Sequence, residues 1–254
     1  MNGKIKYAFC VLLTLLFSSC EKKEKLGQLE LKFDFNVDGA TFVQDKQIYT
    51  NAAGNKYEIN EIMFFISDVI LTKEDGATYK VKDHNSIHYV DYDLPATLNW
   101  KISDQIPVGS YKSLSFVFGF PPEKNKNNYF TDPPESNMFW PATLGGGYHY
   151  MKINGKWDSD GISKNLNFHT GIGQIRNEAG EITEYVHNHF TVTLPVHSFI
   201  ITESTTSVVL NMNLNNWFNT PHIYDFDYWG SSIMQNQTAQ EVIRENGADV
   251  FTIK

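Results

Sequence analysis

Alternation of apolar and polar positions runs through most of the chain and points to strands. Leu29, Leu31, Phe33, Phe35 and Val37 share one face of a run whose other face carries Glu30, Lys32, Asp34 and Asn36. The same period recurs at Leu114, Phe116, Phe118 and Phe120, at Phe190, Val192 and Leu194, and at Val208, Leu210, Met212 and Leu214. Ile62, Phe64 and Ile66 alternate inside a longer apolar run, Ile59–Leu71, which predicts a strand buried on both faces. Shorter strands are expected at Thr78–Lys82, Ile87–Tyr92, Leu98–Ile102, Tyr148–Ile153, Asn165–Thr170 and Asp249–Ile253. Turn residues separate these runs at Asp38-Gly39, Glu74-Asp75-Gly76, Asn154-Gly155, Asp158–Gly161 and Glu178-Ala179-Gly180. Helical spacing stands out at Ser232–Glu245, where Ile233, Ala239, Val242 and Ile243 form a stripe and Asn246-Gly247 offers a C-cap. The pattern predicts an all-β domain, an antiparallel β-sandwich or distorted barrel, with one short C-terminal helix. A long irregular stretch, Pro121–Pro141, interrupts it; loops of that length in a compact domain are usually functional or mobile.

The N-terminus reads as an address. Lys4 and Lys6 precede the largely apolar run Tyr7–Phe17, too short to span a bilayer as a helix, and small residues Ser18 and Ser19 lead to Cys20. This is the arrangement of a lipoprotein signal over residues 1–19, with Cys20 as the lipidated residue. Residues 20–27, beginning with the charged Glu21–Lys25, form the expected tether, and 28–254 a single β domain. The expected location is the periplasm or cell surface, with a membrane as the first partner through the lipid on Cys20.

Composition narrows the choice. Two cysteines in 254 residues leave no disulfide framework, and both belong to the export segment or its end. The formal charge of −8 becomes −10 once Lys4 and Lys6 are removed, and no basic run is present, which argues against nucleic acid as a partner. Aromatic residues are abundant, with 18 Phe, 13 Tyr and 5 Trp, as suits a β-rich core or an aromatic binding surface.

The eight histidines form no H-E-x-x-H motif, and no G-x-S-x-G or phosphate loop accompanies them. The expectation is therefore a binding protein rather than an enzyme. On a strand Tyr148–Ile153, His149 and Met151 point to one side, pairing an imidazole with a thioether as a half-site for copper. Gly145-Gly146-Gly147 just before them permits a close backbone approach. His169 lies in Asn167-Phe168-His169-Thr170-Gly171, facing away from Leu166 and Phe168. His187 and His189 share a strand face opposite Phe190, Val192 and Leu194, which makes His189 a reserve donor; His88 is a weaker one. Trp140, in Asn137-Met138-Phe139-Trp140-Pro141, is either an anchor of the irregular loop or a neighbour of a metal at His149.

These pieces, with Ile59–Val69, the Gly145–Lys152 run and Asn216-Trp217-Phe218, resemble in order the MbnP-like family of secreted copper-binding proteins, in its Bacteroidetes lipoprotein branch. The resemblance implies a periplasmic or cell-surface β-fold holding one copper ion, Cu(I) or Cu(II), through histidines. It makes His149 and His169 the principal ligands, with Met151 as a third donor. It also implies oxidation of a tryptophan to kynurenine, for which Trp140 is the candidate, by a di-haem peroxidase-like partner. The leading expectation is a lipid-anchored protein for copper capture or handover. The alternative is a surface module for glycans or peptides, with Tyr129, Phe130, Phe139 and Trp140 as a stacking platform.

Overall fold

The expected stripes become the inward faces of two sheets, except that the strand Gly109–Phe118 ends before Phe120, which packs on the outer side. The computed structural model describes residues 24–254, so the export signal, Cys20 and most of the tether lie outside the described residues. The first strand, Leu26–Val37, begins two residues earlier than the expected domain start. It pairs in parallel with Thr205–Asn213, matching Phe33 to Leu210 and Phe35 to Met212, and Phe251–Ile253 extends that sheet.

The larger sheet is ordered Ile162–Thr170, Met151–Ser159, Lys56–Lys73, Gly109–Phe118, Phe190–Ile201, with short strands such as Ile87–Asp91 also pairing to Lys56–Lys73. Every pairing within it is antiparallel. Side chains of both sheets meet in one core that includes Phe33, Phe35, Ile62, Phe64, Phe116, Phe118, Leu210 and Met212. The result is a sandwich whose longer helix, Gln237–Asn246, is capped by the Asn236 side chain accepting from the Ala239 N–H, with a single helical turn at Phe226–Trp229 before it. The longer helix thus starts later than the predicted Ser232.

Asn154-Gly155 does not turn the chain. Both residues lie inside the strand Met151–Ser159, at a bulge where a Cβ on Gly155 would stand 2.0 Å from the Glu58 carbonyl oxygen. The dipeptide serves close strand approach, and the turn falls at Asp160-Gly161, both at positive φ. A further hairpin, Ile172–Arg176 with Ile182–His187, has no counterpart among the predicted strands.

The doubly apolar character of Ile59–Leu71 has a structural cause. Ile62, Phe64 and Ile66 enter the sandwich core, whereas Met63 and Phe65 face outward. The irregular segment folds over that outer face, where its Met138 and Trp140 join Phe65, Tyr89, Phe120, Tyr148 and Tyr150 in a second apolar cluster. Phe130 stacks on Phe65 with ring centres 5.4 Å apart. The predicted loop is thus a third layer, and it carries the histidine site.

Candidate metal centre

Strand register first brings His169 to the outer face. Phe168 opposes Ile153 and His169 opposes Lys152, so His169 and Lys152 share the face turned away from the sandwich core. His149 arrives by a different route. Regular strand structure begins only at Met151, and a bend at Tyr150 breaks the alternation. The His149 ring then lies beside that of His169, with centres 5.2 Å apart and planes at 82°.

The glycine run makes this approach possible. Gly146 and Gly147 adopt φ of 71° and 76°. A Cβ on Gly147 would fall 2.3 Å from Asn125 Oδ1, and one on Gly146 2.4 Å from Asn127 Oδ1. The same two amide oxygens clamp the loop: Asn127 Oδ1 accepts from the Gly147 N–H at 2.6 Å, and Asn125 Oδ1 from the Tyr148 N–H at 2.8 Å. The Trp140 N–H donates to the Gly147 carbonyl at 2.8 Å, and the His149 N–H to the Met138 carbonyl at 2.7 Å.

Both tautomers can be assigned from acceptor chemistry. A backbone carbonyl only accepts, so His149 Nδ1, 3.0 Å from the Met138 oxygen, carries the proton. His149 Nε2 is left as a lone pair, buried and without a partner among the described residues. Asn154 Nδ2 donates to Glu61 Oε2, which orients its amide and turns Oδ1 toward His169 Nε2 at 2.7 Å. That nitrogen is therefore protonated, and Nδ1 is the basic one. A metal-binding imidazole is held in this way, with its second nitrogen donating to a fixed oxygen.

Burial keeps both rings neutral. It pushes the His149 imidazole down to about 3, with Lys152 and His169 adding to the effect. His169 is pushed down to about 4, again by burial first and Lys152 second. An ion about 2 Å from one nitrogen of each ring can bridge ring centres up to about 6 Å apart, and the observed 5.2 Å lies within that span. The orphaned Nε2, the fixed tautomers and the ring spacing all fit a soft or borderline cation. Among the described residues no group of three or more His, Cys, Asp or Glu side chains gathers around it, so the site is a pair with open positions.

The remaining expected donors lie elsewhere. Met151 is fully buried with Ile153 and Phe168 in the sandwich core, on the opposite side of the sheet from His169. The same-face expectation fails because alternation does not extend back to His149. His88 is stacked between Phe33 and Trp100, with centres 5.4 and 4.9 Å away, and its Nε2 bonds the Thr97 carbonyl. It is a packing residue of the sandwich, not a member of the pair. His189 sits beside Tyr150 and His187, each at 6.4 Å.

Trp140 is buried against His149, with ring centres 4.6 Å apart, and Nε1 donates to the Leu144 carbonyl. Its ring covers Gly171, where a Cβ would stand 2.6 Å away. An open cavity of about 700 Å³, lined by Phe130, Phe139, Gly147 and Tyr148 among others, reaches it from outside. Of the proposed aromatic platform, Tyr129 and Phe139 are exposed, whereas Phe130 and Trp140 pack into the outer cluster. Phe130, Phe139 and Trp140 line the same open cavity, and Tyr129 meets Phe130 edge-on at 4.9 Å.

Comparison with known proteins gives this geometry a context. A family model described as MbnP matches residues 26–236. The chain belongs to the MbnP family. Among solved structures, MbnP from Methylosinus trichosporium is similar at a TM-score of 0.58 and 14% identity, over 90% of this chain and 98% of that one. At that identity the likeness is one of fold, and it confirms the β-sandwich expectation. No sequence among curated proteins matches the chain. Family membership points to a copper-associated protein. Sequence reasoning alone did not find Asn154, Lys152, Asn125 or Asn127. Their roles depend on strand register and loop closure, and the Asn154-Gly155 dipeptide pointed toward a turn.

Proposed function

We propose that this protein holds one copper ion through His149 Nε2 and His169 Nδ1, and serves copper capture or handover rather than catalysis. The observation that carries this reading is the adjacent imidazole pair, in which one nitrogen of each ring donates to an oxygen and the other nitrogen of His149 is buried without a partner among the described residues. Bound there, copper would find two neutral donors and no competing proton at physiological pH. Imidazole suits both oxidation states of copper. The open positions around the pair suit an ion that is passed on.

Lipid on Cys20 would hold the protein at a membrane, in the periplasm or at the cell surface. Trp140, packed on His149, is the residue that a di-haem peroxidase-like partner would oxidise, since it is the indole nearest the pair among the described aromatic contacts. Intact mass of the native protein checks both modifications.

The decisive test is titration of the purified mature chain with Cu(I) and with Cu(II). One equivalent is expected to bind, and His149→Ala or His169→Ala to abolish binding. Sub-stoichiometric or micromolar-weak uptake that neither substitution changes would sink the proposal.

A further inference from the structure

A cation stands on the same sheet face as His169, the strand-borne member of the imidazole pair. Lys152 is the direct cross-strand partner of His169, and side chains so placed have Cβ atoms about 4.5–5.5 Å apart. Its Nζ donates to the Asn137 carbonyl at 3.0 Å, while His149 Nδ1 donates to the next carbonyl, that of Met138. The ammonium and the imidazole therefore grip consecutive peptide groups. Among the described residues Lys152 forms no ion pair; Glu61, the carboxylate that acts on it, is bonded by Asn154. A half-buried positive charge with only a carbonyl partner is an unusual neighbour for a cation site, because it opposes every cation in proportion to charge.

We infer that Lys152 is the specificity-determining residue of this site and sets it for a monovalent ion, Cu(I), against Cu(II) and Zn(II). The inference rests on the copper reading above. The Coulomb penalty on a divalent ion is twice that on a monovalent one. Solvent screening at a partly exposed position reduces the difference to about tenfold in affinity. Lys152 touches neither ring's free nitrogen through a hydrogen bond, so it acts through its field and not as a ligand.

The test compares wild type with Lys152→Met and Lys152→Arg, each checked for folding by circular dichroism and thermal melting. Dissociation constants for Cu(I), Cu(II) and Zn(II) are measured by ligand competition, and the copper couple by voltammetry. Lys152→Met is expected to improve Cu(II) relative to Cu(I) about tenfold, which is about 59 mV lower in potential for one electron. Zn(II) binding should strengthen alongside, and Lys152→Arg should keep the wild-type ratio. An unchanged ratio and potential in a folded Lys152→Met protein would overturn the inference and leave the copper reading intact. Failure of wild type to bind either copper ion would overturn both.

Discussion

At the residue scale, the site is made by what each imidazole cannot do. His149 and His169 do not protonate in the ordinary histidine range, because burial holds them down to about 3 and about 4. Protons therefore compete with a metal only near those values. Copper affinity is expected to stay level from pH 7 to about 5 and to fall only as pH approaches 4. A competition series with a midpoint near 6.5 would contradict this. Asn154 fixes the His169 tautomer, so Asn154→Ala should weaken copper binding about 10–100-fold with the fold intact, as read by equilibrium dialysis. Met151→Leu should leave affinity unchanged and cost under about 1.5 kcal/mol in denaturant unfolding, because the thioether lies in the sandwich core. The two histidines were legible in the sequence as imidazoles in distinctive surroundings. The error over Met151 came from extending strand alternation through Tyr150, where the backbone bends.

At the element scale, a loop does the work that a strand was expected to do. The segment between Phe118 and Met151 covers the outer face of the large sheet and closes on the glycine run. Its prolines and aromatics made the loop visible in the sequence. Its role as a third layer was not visible, because nothing local says which sheet face it will cover. Met63 and Phe65 were the clue, since a strand apolar on both faces needs a second covering layer. Gly147→Ala tests the closure. Its positive φ and the contact with Asn125 predict a loss of about 2 kcal/mol or more in unfolding free energy. Copper affinity should fall with it although no ligand is altered, and calorimetry with and without copper separates the two effects.

At the scale of the whole molecule, the sandwich followed from the stripes, but the parallel pairing of Leu26–Val37 with Thr205–Asn213 did not. Local turn chemistry announces hairpins, whereas a partner far away in sequence leaves no local mark. Three histidines, His149 buried and His88 and His169 half-buried, also set the acid limit of the fold. His88 is pushed down to about 4 by burial, as His169 is, and His149 lower still. The unfolded chain takes up these protons below about 6.5 while the folded one does not, so stability falls as pH drops from 6.5 toward 4. The upper bound is about 1.4 kcal/mol per pH unit for each histidine. Melting temperatures measured between pH 7 and 4.5 should decline steadily, and a flat profile would contradict the buried, neutral assignment. The antiparallel sheet has a further consequence. Leu26 pairs with Pro107 at the end where Gly109 meets Ile201, whereas Phe118 meets Phe190 at the other, level with Phe65, Tyr150 and Thr170. With lipid on Cys20, residues 21–25 reach at most about 18 Å, and the 10-residue strand Gly109–Phe118 adds about 30 Å. The anchor would stand at one pole of the molecule and the imidazole pair toward the other. Copper bound there would then lie at the pole remote from the point of attachment.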